Sequence, residues 1–187
     1  MRIIGGNLRG KKILNPTDKS TRPLKDIVRE SIFNIIEHSK NEYVELNNAT
    51  VLDLFSGTGS FGIECLSRGA KKVIFYENYE NSIKVLKKNL DLLKLNNNSK
   101  IIQNDSYRIS RSKLFSRIFD LIFLDPPFND DKINQLIEKI KKMKITSQNT
   151  VIIIHRNKNI SEDISKDLII TREKIYGLSK IIFGKIS

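Results

Sequence analysis

Four carboxylates and one stiff corner hold the residue types that could do chemistry in this chain. Asp125-Pro126-Pro127-Phe128 follows the apolar run 119–124, whose composition suits a buried parallel strand. Proline has a fixed φ and no N–H, so that strand must stop at Asp125. The corner then offers a negative charge, backbone carbonyls with little freedom to move, a flat aromatic ring and no nucleophile. Such a set suits a planar substrate carrying an amino group, a nucleobase for instance. Asp53, Glu77 and Asp105 also stand at or near the ends of apolar runs.

The elements that must position these groups alternate. Residues 51–55 read as a strand, and Ser56-Gly57-Thr58-Gly59-Ser60-Phe61-Gly62 turns it into a helix reaching about Arg68. Strands follow at 72–76, closed by Glu77, and at 100–103, closed by Asn104-Asp105-Ser106. A helix spans 81–95 between them, with Ile83, Leu86, Leu90 and Leu93 on one side. After the Asp125 strand come a helix carrying Ile133, Leu136, Ile137 and Ile140, a strand at 150–154, and two β runs, 168–175 and 180–186, joined at Gly177. The alternation predicts an α/β fold with a mostly parallel, doubly wound sheet of seven strands and an antiparallel edge strand. Ligands in such sheets bind at the carboxyl ends of the strands, where the four carboxylates converge.

Gly57-x-Gly59-x-x-Gly62, with Glu77 twenty residues after Gly57, also matches the dinucleotide fingerprint of an NAD-dependent oxidoreductase. Against it, Asp53 precedes the glycines and would repel a pyrophosphate, and the chain is short for a separate substrate domain. Asp53 suits the amino group of a methionine-like moiety better.

The chain has 187 residues and a formal charge of +12, from 33 Lys and Arg against 21 Asp and Glu. A polyanionic partner is the expectation. Residues 1–25 hold half of that charge, with Arg2, Arg9, Lys11, Lys12, Lys19, Arg22 and Lys25 against Asp18 alone. Their two short apolar pairs and glycines predict a β-hairpin arm that grips phosphates, set before a main domain at 26–187. A helix is expected from about Lys25 to Ser39, with Pro23 just before it and Ile27, Val28, Ile32, Ile35 and Ile36 toward the core. Arg29 and Glu30 fall off that stripe, either exposed or facing the site. Cys65, the single cysteine, excludes an internal disulfide and reads as a buried apolar residue. His38 ends a helix. His155 closes the 150–154 strand with no partner at ligand spacing, so no metal is expected. Neither a membrane span nor a signal peptide is evident, which points to the cytoplasm.

Asp53-Leu-Phe-Ser-Gly-Thr-Gly, Glu77, Asn104-Asp105 and Asp125-Pro-Pro-Phe together resemble a Rossmann-like class I S-adenosylmethionine-dependent methyltransferase of the amino-methylating group. Arg2-Ile-Ile-Gly-Gly-Asn-Leu-Arg-Gly and Arg22-Pro23 with Val28-Arg29-Glu30-Ser-Ile-Phe-Asn34 narrow the resemblance to the RsmD family, over nearly the whole chain. Ser56 stands where that family usually has Ala, and Leu24-Lys25 replaces a usual Thr pair. The resemblance implies methyl transfer to the exocyclic N2 of a guanine in small-subunit (16S) ribosomal RNA, within an assembling subunit, by a monomeric enzyme. It implies S-adenosylmethionine held by Asp53, Phe55, Ser56, Gly57, Thr58, Gly59, Glu77, Asn78, Asp105 and Ser106, chemistry at Asp125, Pro126, Pro127 and Phe128, and RNA contacts from Arg2, Arg9, Lys11, Lys12, Arg22 and Arg29. The Asp-Pro-Pro-aromatic corner serves adenine N6 and cytosine N4 as well, and only the resemblance selects guanine. A non-catalytic RNA-binding assembly factor is the remaining alternative.

Overall fold

A computed structural model of the chain describes residues 1–16, 24–114, 118–127, 130–160 and 163–187. The strands are β1 (Thr50–Leu54), β2 (Lys72–Glu77), β3 (Ser99–Gln103), β4 (Leu121–Leu124), β5 (Val151–Asn157), β6 (Leu168–Tyr176) and β7 (Ser179–Ile186). The helices are α1 (Asp26–His38), α2 (Ser60–Ser67), α3 (Glu80–Leu92) and α4 (Ile133–Met143). All seven strands join one sheet in the order β3-β2-β1-β4-β5-β7-β6. β1 to β5 run parallel, and β7 is antiparallel to both β5 and β6. The reversed strand is therefore one place in from the edge, which β6 forms. The tight turn at Gly177, where φ is +59°, can join only antiparallel neighbours.

The chain builds outward from β1 to β3, then returns to lay β4 on the other side of β1. That reversal opens a crevice above the carboxyl ends of β1 and β4. Strand alternation divides the interior in two. Val51, Val73, Phe75, Leu121, Phe123 and Ile153 face α1, α2 and α3. Leu52, Leu54, Ile74, Ile122, Leu124 and Ile152 face the apolar stripe of α4, made of Ile133, Leu136, Ile137 and Ile140.

The structure corrects α1. Its core face is Val28, Ile32, Phe33 and Ile36, with Phe33 stacked on Phe61 at 5.1 Å, whereas Ile27 is 66% exposed. Arg29 is fully buried, so a charged residue occupies a core position that the apolar count overlooked. β4 starts at Leu121, later than expected. Phe119 is buried ahead of it, with its N–H spent on the Ile145 carbonyl at 2.9 Å. β5 runs past Ile154 to Asn157 because β7 pairs with His155, Arg156 and Asn157 after β4 has ended.

The amino-terminal segment closes on itself through the Arg2–Lys12 bridge and the bonds Ile3 N–H to Lys11 O and Ile13 N–H to Met1 O. It then docks on the domain. Ile3 and Ile13 join the core of the first sheet face, and the fully buried Glu64 of α2 accepts the N–H groups of Ile4 (2.8 Å) and Gly5 (2.6 Å). Gly6, at φ +74°, sits so close to the Ser67 carbonyl that a Cβ there would stand 1.9 Å from its oxygen. Arg22 and Pro23, and with them the approach to the boundary at residue 25, lie outside the described residues.

Candidate active site

The turn after β1 is shaped by backbone that a ligand can approach. Phe55 takes φ +59° and donates its N–H to Ser106 Oγ at 3.1 Å, so the buried Ser106 fixes the turn. Ser56 donates both its N–H (3.0 Å) and its hydroxyl (3.2 Å) to the Tyr76 carbonyl, which ties the turn to β2. The carbonyl of the buried Thr58 accepts from Asn89 Nδ2. The glycines differ in purpose. A Cβ on Gly59 would meet Leu86 Cδ1 at 2.3 Å and one on Gly62 would meet the Phe75 ring at 2.3 Å, so both exist for close packing of α2. Gly57, at φ +54°, has open space where its Cβ would be.

Three carboxylates surround this turn. Asp53 is 1% exposed; its Oδ2 accepts the Gly62 N–H at 3.0 Å, and its Oδ1 has no partner among the described residues. Burial pushes its pKa well above the ordinary carboxylate range, and the nearby negative charges of Asp125 and Glu77 add to the rise. Glu77 accepts the N–H groups of Asn78 (2.9 Å) and Tyr79 (2.8 Å) on Oε1 and that of Gly57 (2.6 Å) on Oε2. Asn78 is exposed and meets Glu77 through its backbone. Asp105 caps the short turn at 106–108 by accepting the Tyr107 N–H at 2.9 Å.

The second half of the crevice is the corner after β4. Asp125 donates its backbone N–H to the Leu54 carbonyl at 3.3 Å, which sets the corner beside the end of β1. Its Oδ1 lies 2.7 Å from His155 Nδ1, and His155 Nε2 lies 2.9 Å from Ser179 Oγ. Pro126 is buried and Pro127 exposed. The Pro127 carbonyl accepts the Asp130 N–H at 3.0 Å, and Arg156 donates to the Asp130 carbonyl at 2.5 Å. Arg156 Nη1 also lies 3.6 Å from Asp130 Oδ2, a pair almost wholly buried. Burial, with Asp130 beside it, raises the pKa of the Tyr107 hydroxyl. Phe128 lies outside the described residues. His155 is the residue that reading by sequence spacing missed. Its carboxylate partner is 30 positions away in sequence yet adjacent in register, since Leu124 pairs with Ile154 and each strand's next residue is the one in question.

A family model described as "Conserved hypothetical protein 95" matches residues 1–185. The "Ribosomal RNA small subunit methyltransferase D" of Haemophilus influenzae is 31% identical over 95% of this chain and 90% of its own length. The chain belongs to this family, the RsmD family. The solved structure of the Escherichia coli protein yhhF superposes on the RsmD-family chain with a TM-score of 0.80, at 26% identity, covering 100% of this chain and 98% of that one. An RNA methyltransferase from Salinibacter ruber in complex with S-adenosyl-L-homocysteine shares the fold at 14% identity, covering 88% and 94%, with a TM-score of 0.63. The RsmD-family chain is thus a class I methyltransferase, and S-adenosyl-L-methionine is its cofactor.

The residues fit that cofactor. An α-ammonium would satisfy the orphaned Oδ1 of Asp53, a ribose diol would find unused lone pairs on Glu77, and Gly57 leaves open surface. The expected phosphate contacts divide. Arg2, Arg9, Lys11 and Lys12 are exposed. Arg29 cannot serve: its guanidinium is buried and donates to Arg2 O at 2.5 Å and to Asp26 Oδ1 at 3.1 Å, with Glu64 3.9 Å away. It holds the basic segment in place and leaves no face for a phosphate. Arg22 lies outside the described residues.

Proposed function

We propose that this chain methylates the exocyclic N2 of a guanine in small-subunit ribosomal RNA. The observation that carries the reading is that the backbone bond from Asp125 to Leu54 sets this carboxylate at the end of β1, close enough for its charge to act on Asp53, whose Oδ1 has no partner among the described residues. S-adenosyl-L-methionine, when bound, supplies an electrophilic methyl group on a sulfonium. The remaining work belongs to the protein. Asp53 would hold the ammonium and Glu77 the ribose hydroxyls, with Asp105 lining the same crevice.

An aromatic amine is a poor nucleophile because its lone pair is delocalised into the ring. Asp125 and the Pro126 carbonyl, accepting its two N–H bonds, would pull the nitrogen toward a tetrahedral shape and aim the lone pair into the crevice where the donor would be held. As the N–C bond forms the methyl group leaves its sulfur, and the nitrogen's extra proton departs after the transfer. Phe128 would stack on the base. Asp125 is 24% exposed, open enough to meet an extruded base, which is most easily presented from a loop or single strand. Arg2, Arg9, Lys11 and Lys12 in the basic segment 1–25 would grip the phosphates as the base enters. The substrate, an assembling small subunit, places the enzyme in the cytoplasm, working as a monomer.

The test is nucleoside analysis of small-subunit rRNA after incubation with the protein and labelled S-adenosylmethionine. N2-methylguanosine is expected. N6-methyladenosine or N4-methylcytidine instead would replace the base assignment, and binding of NAD in place of S-adenosylhomocysteine would end the methyltransferase reading.

A further inference from the structure

We propose that His155 is a positioning residue for methyl transfer, fixing the Asp125 carboxylate through a hydroxyl–imidazole–carboxylate chain that runs from Ser179. The inference rests on Asp125 being the acceptor of the substrate amine. Three strands supply the chain. Asp125 follows β4, His155 lies in β5, and Ser179 opens β7, so the sheet itself sets the spacing. His155 is 6% exposed and Asp125 24%, which leaves the carboxylate open to substrate and keeps the imidazole behind it.

A carboxylate only accepts hydrogen bonds, so the 2.7 Å contact requires a proton on His155 Nδ1. In the neutral ring Nε2 then accepts, and the Ser179 hydroxyl donates to it across 2.9 Å. This selects one tautomer and one ring orientation. With Oδ1 held by the imidazole, Oδ2 is the oxygen left for the amine N–H. A second carboxylate-holding contact at one fixed oxygen is what a single exposed side chain at a strand end lacks, and small errors of aim at a reacting nitrogen are expensive.

Protonation would change the device. An imidazolium would need Ser179 to turn and accept, and its charge would draw electron density from Asp125, making the carboxylate a weaker acceptor for the amine. His155 hydrogen-bonds Asp125 from the β4 end and Ser179 from β7. The neighbouring cations Arg156 of β5 and Lys180 of β7 are paired with Asp130 and Glu173.

The experiment compares H155A, H155N and H155Q with the wild type and with D125A, measuring kcat, KM for RNA and S-adenosylhomocysteine affinity across pH. Asn places an amide N–H near the Nδ1 position, and Gln places one near Nε2. H155A and H155Q are expected to lose about 10- to 100-fold in kcat with cofactor affinity and KM unchanged. H155N should recover most of that loss. If H155A fails to fold, the contrast between H155N and H155Q still decides, and an imidazole 15N spectrum of the wild type must show protonated Nδ1 at neutral pH. Equal turnover in H155N, H155Q and wild type would overturn the inference, as would a proton on Nε2 alone. An inactive D125A beside fully active His155 variants would end only this inference, whereas an active D125A would remove the role of Asp125 itself.

Discussion

The cofactor crevice and the acceptor corner lie on neighbouring strands, yet they are held by different kinds of bond. In the crevice, side-chain carboxylates accept backbone N–H groups: Asp53 from Gly62, Glu77 from Gly57 and Tyr79, Asp105 from Tyr107. At the corner, side chains meet side chains brought by separate strands, Asp125 with His155 and His155 with Ser179. The first kind of site survives drift in most side chains, because the backbone supplies the donors. The second depends on strand order and fails one residue at a time. Damage to the crevice should therefore appear as lost binding, and damage to the corner as lost rate.

The largest expected effect is at the corner. D125A should lower methyl transfer by about 100-fold or more while calorimetry finds S-adenosylhomocysteine binding intact; a parallel loss of binding would erase the distinction between the two regions. The converse comes from E77A. Removing the carboxylate takes away its contact with the ribose hydroxyls and the bond that holds Gly57, and hydrogen bonds to charged groups are worth about 1.5–3 kcal/mol, so affinity should fall by roughly 10- to 100-fold. Unchanged affinity in that variant would remove Glu77 from the cofactor site.

The basic segment sharpens the comparison from outside both regions. R9A/K11A/K12A should flatten the log–log salt dependence of RNA affinity by roughly 2 to 3 if all three touch phosphate. Because all three are exposed, the melting temperature should hold. An unchanged slope would place the RNA elsewhere.

The smallest effect is a gain. Asp53 is buried with a raised pKa, so the stability it contributes is present in its protonated form at low pH and is lost as pH rises through that raised value. D53N should then melt higher than the wild type without cofactor at neutral pH, by roughly 2–4 °C for each kcal/mol relieved, and the gap should close as pH falls. Cofactor affinity should fall in the same variant. A D53N protein no more stable than wild type would mean that the open oxygen costs nothing.

Reading the sequence recovered the crevice better than the corner for a physical reason. Strand ends, glycines and carboxylates of the crevice are separated by fixed, short spacings that a local pattern reports, and Asp53, Gly57, Gly59 and Glu77 do surround one turn. The convergence of Asp53, Glu77 and Asp125 likewise followed from parallel topology. His155 stayed hidden because its partnership depends on β5 lying next to β4 and on β7 extending it, facts of sheet order that no local spacing contains. Arg29 was misjudged for a related cause. Periodicity assigns a charged residue to the surface, and only the meeting of α1 with α2 and the amino-terminal segment supplies the Glu64 and Arg2 groups that, with Asp26 one turn earlier in α1, let a guanidinium be buried.

Strand order also fixes a calendar of biosynthesis. β1 and β2, which carry Asp53 and Glu77, leave the ribosome early, whereas Ser179 is made about a hundred residues after Glu77, roughly 5–20 s later at 5–20 residues per second. Until then β5 has no β7 beside it and His155 Nε2 has no hydroxyl to meet. A nascent chain thus carries the residues that recognise the methyl donor well before it can aim at an acceptor, and the interval between the two is set by translation speed.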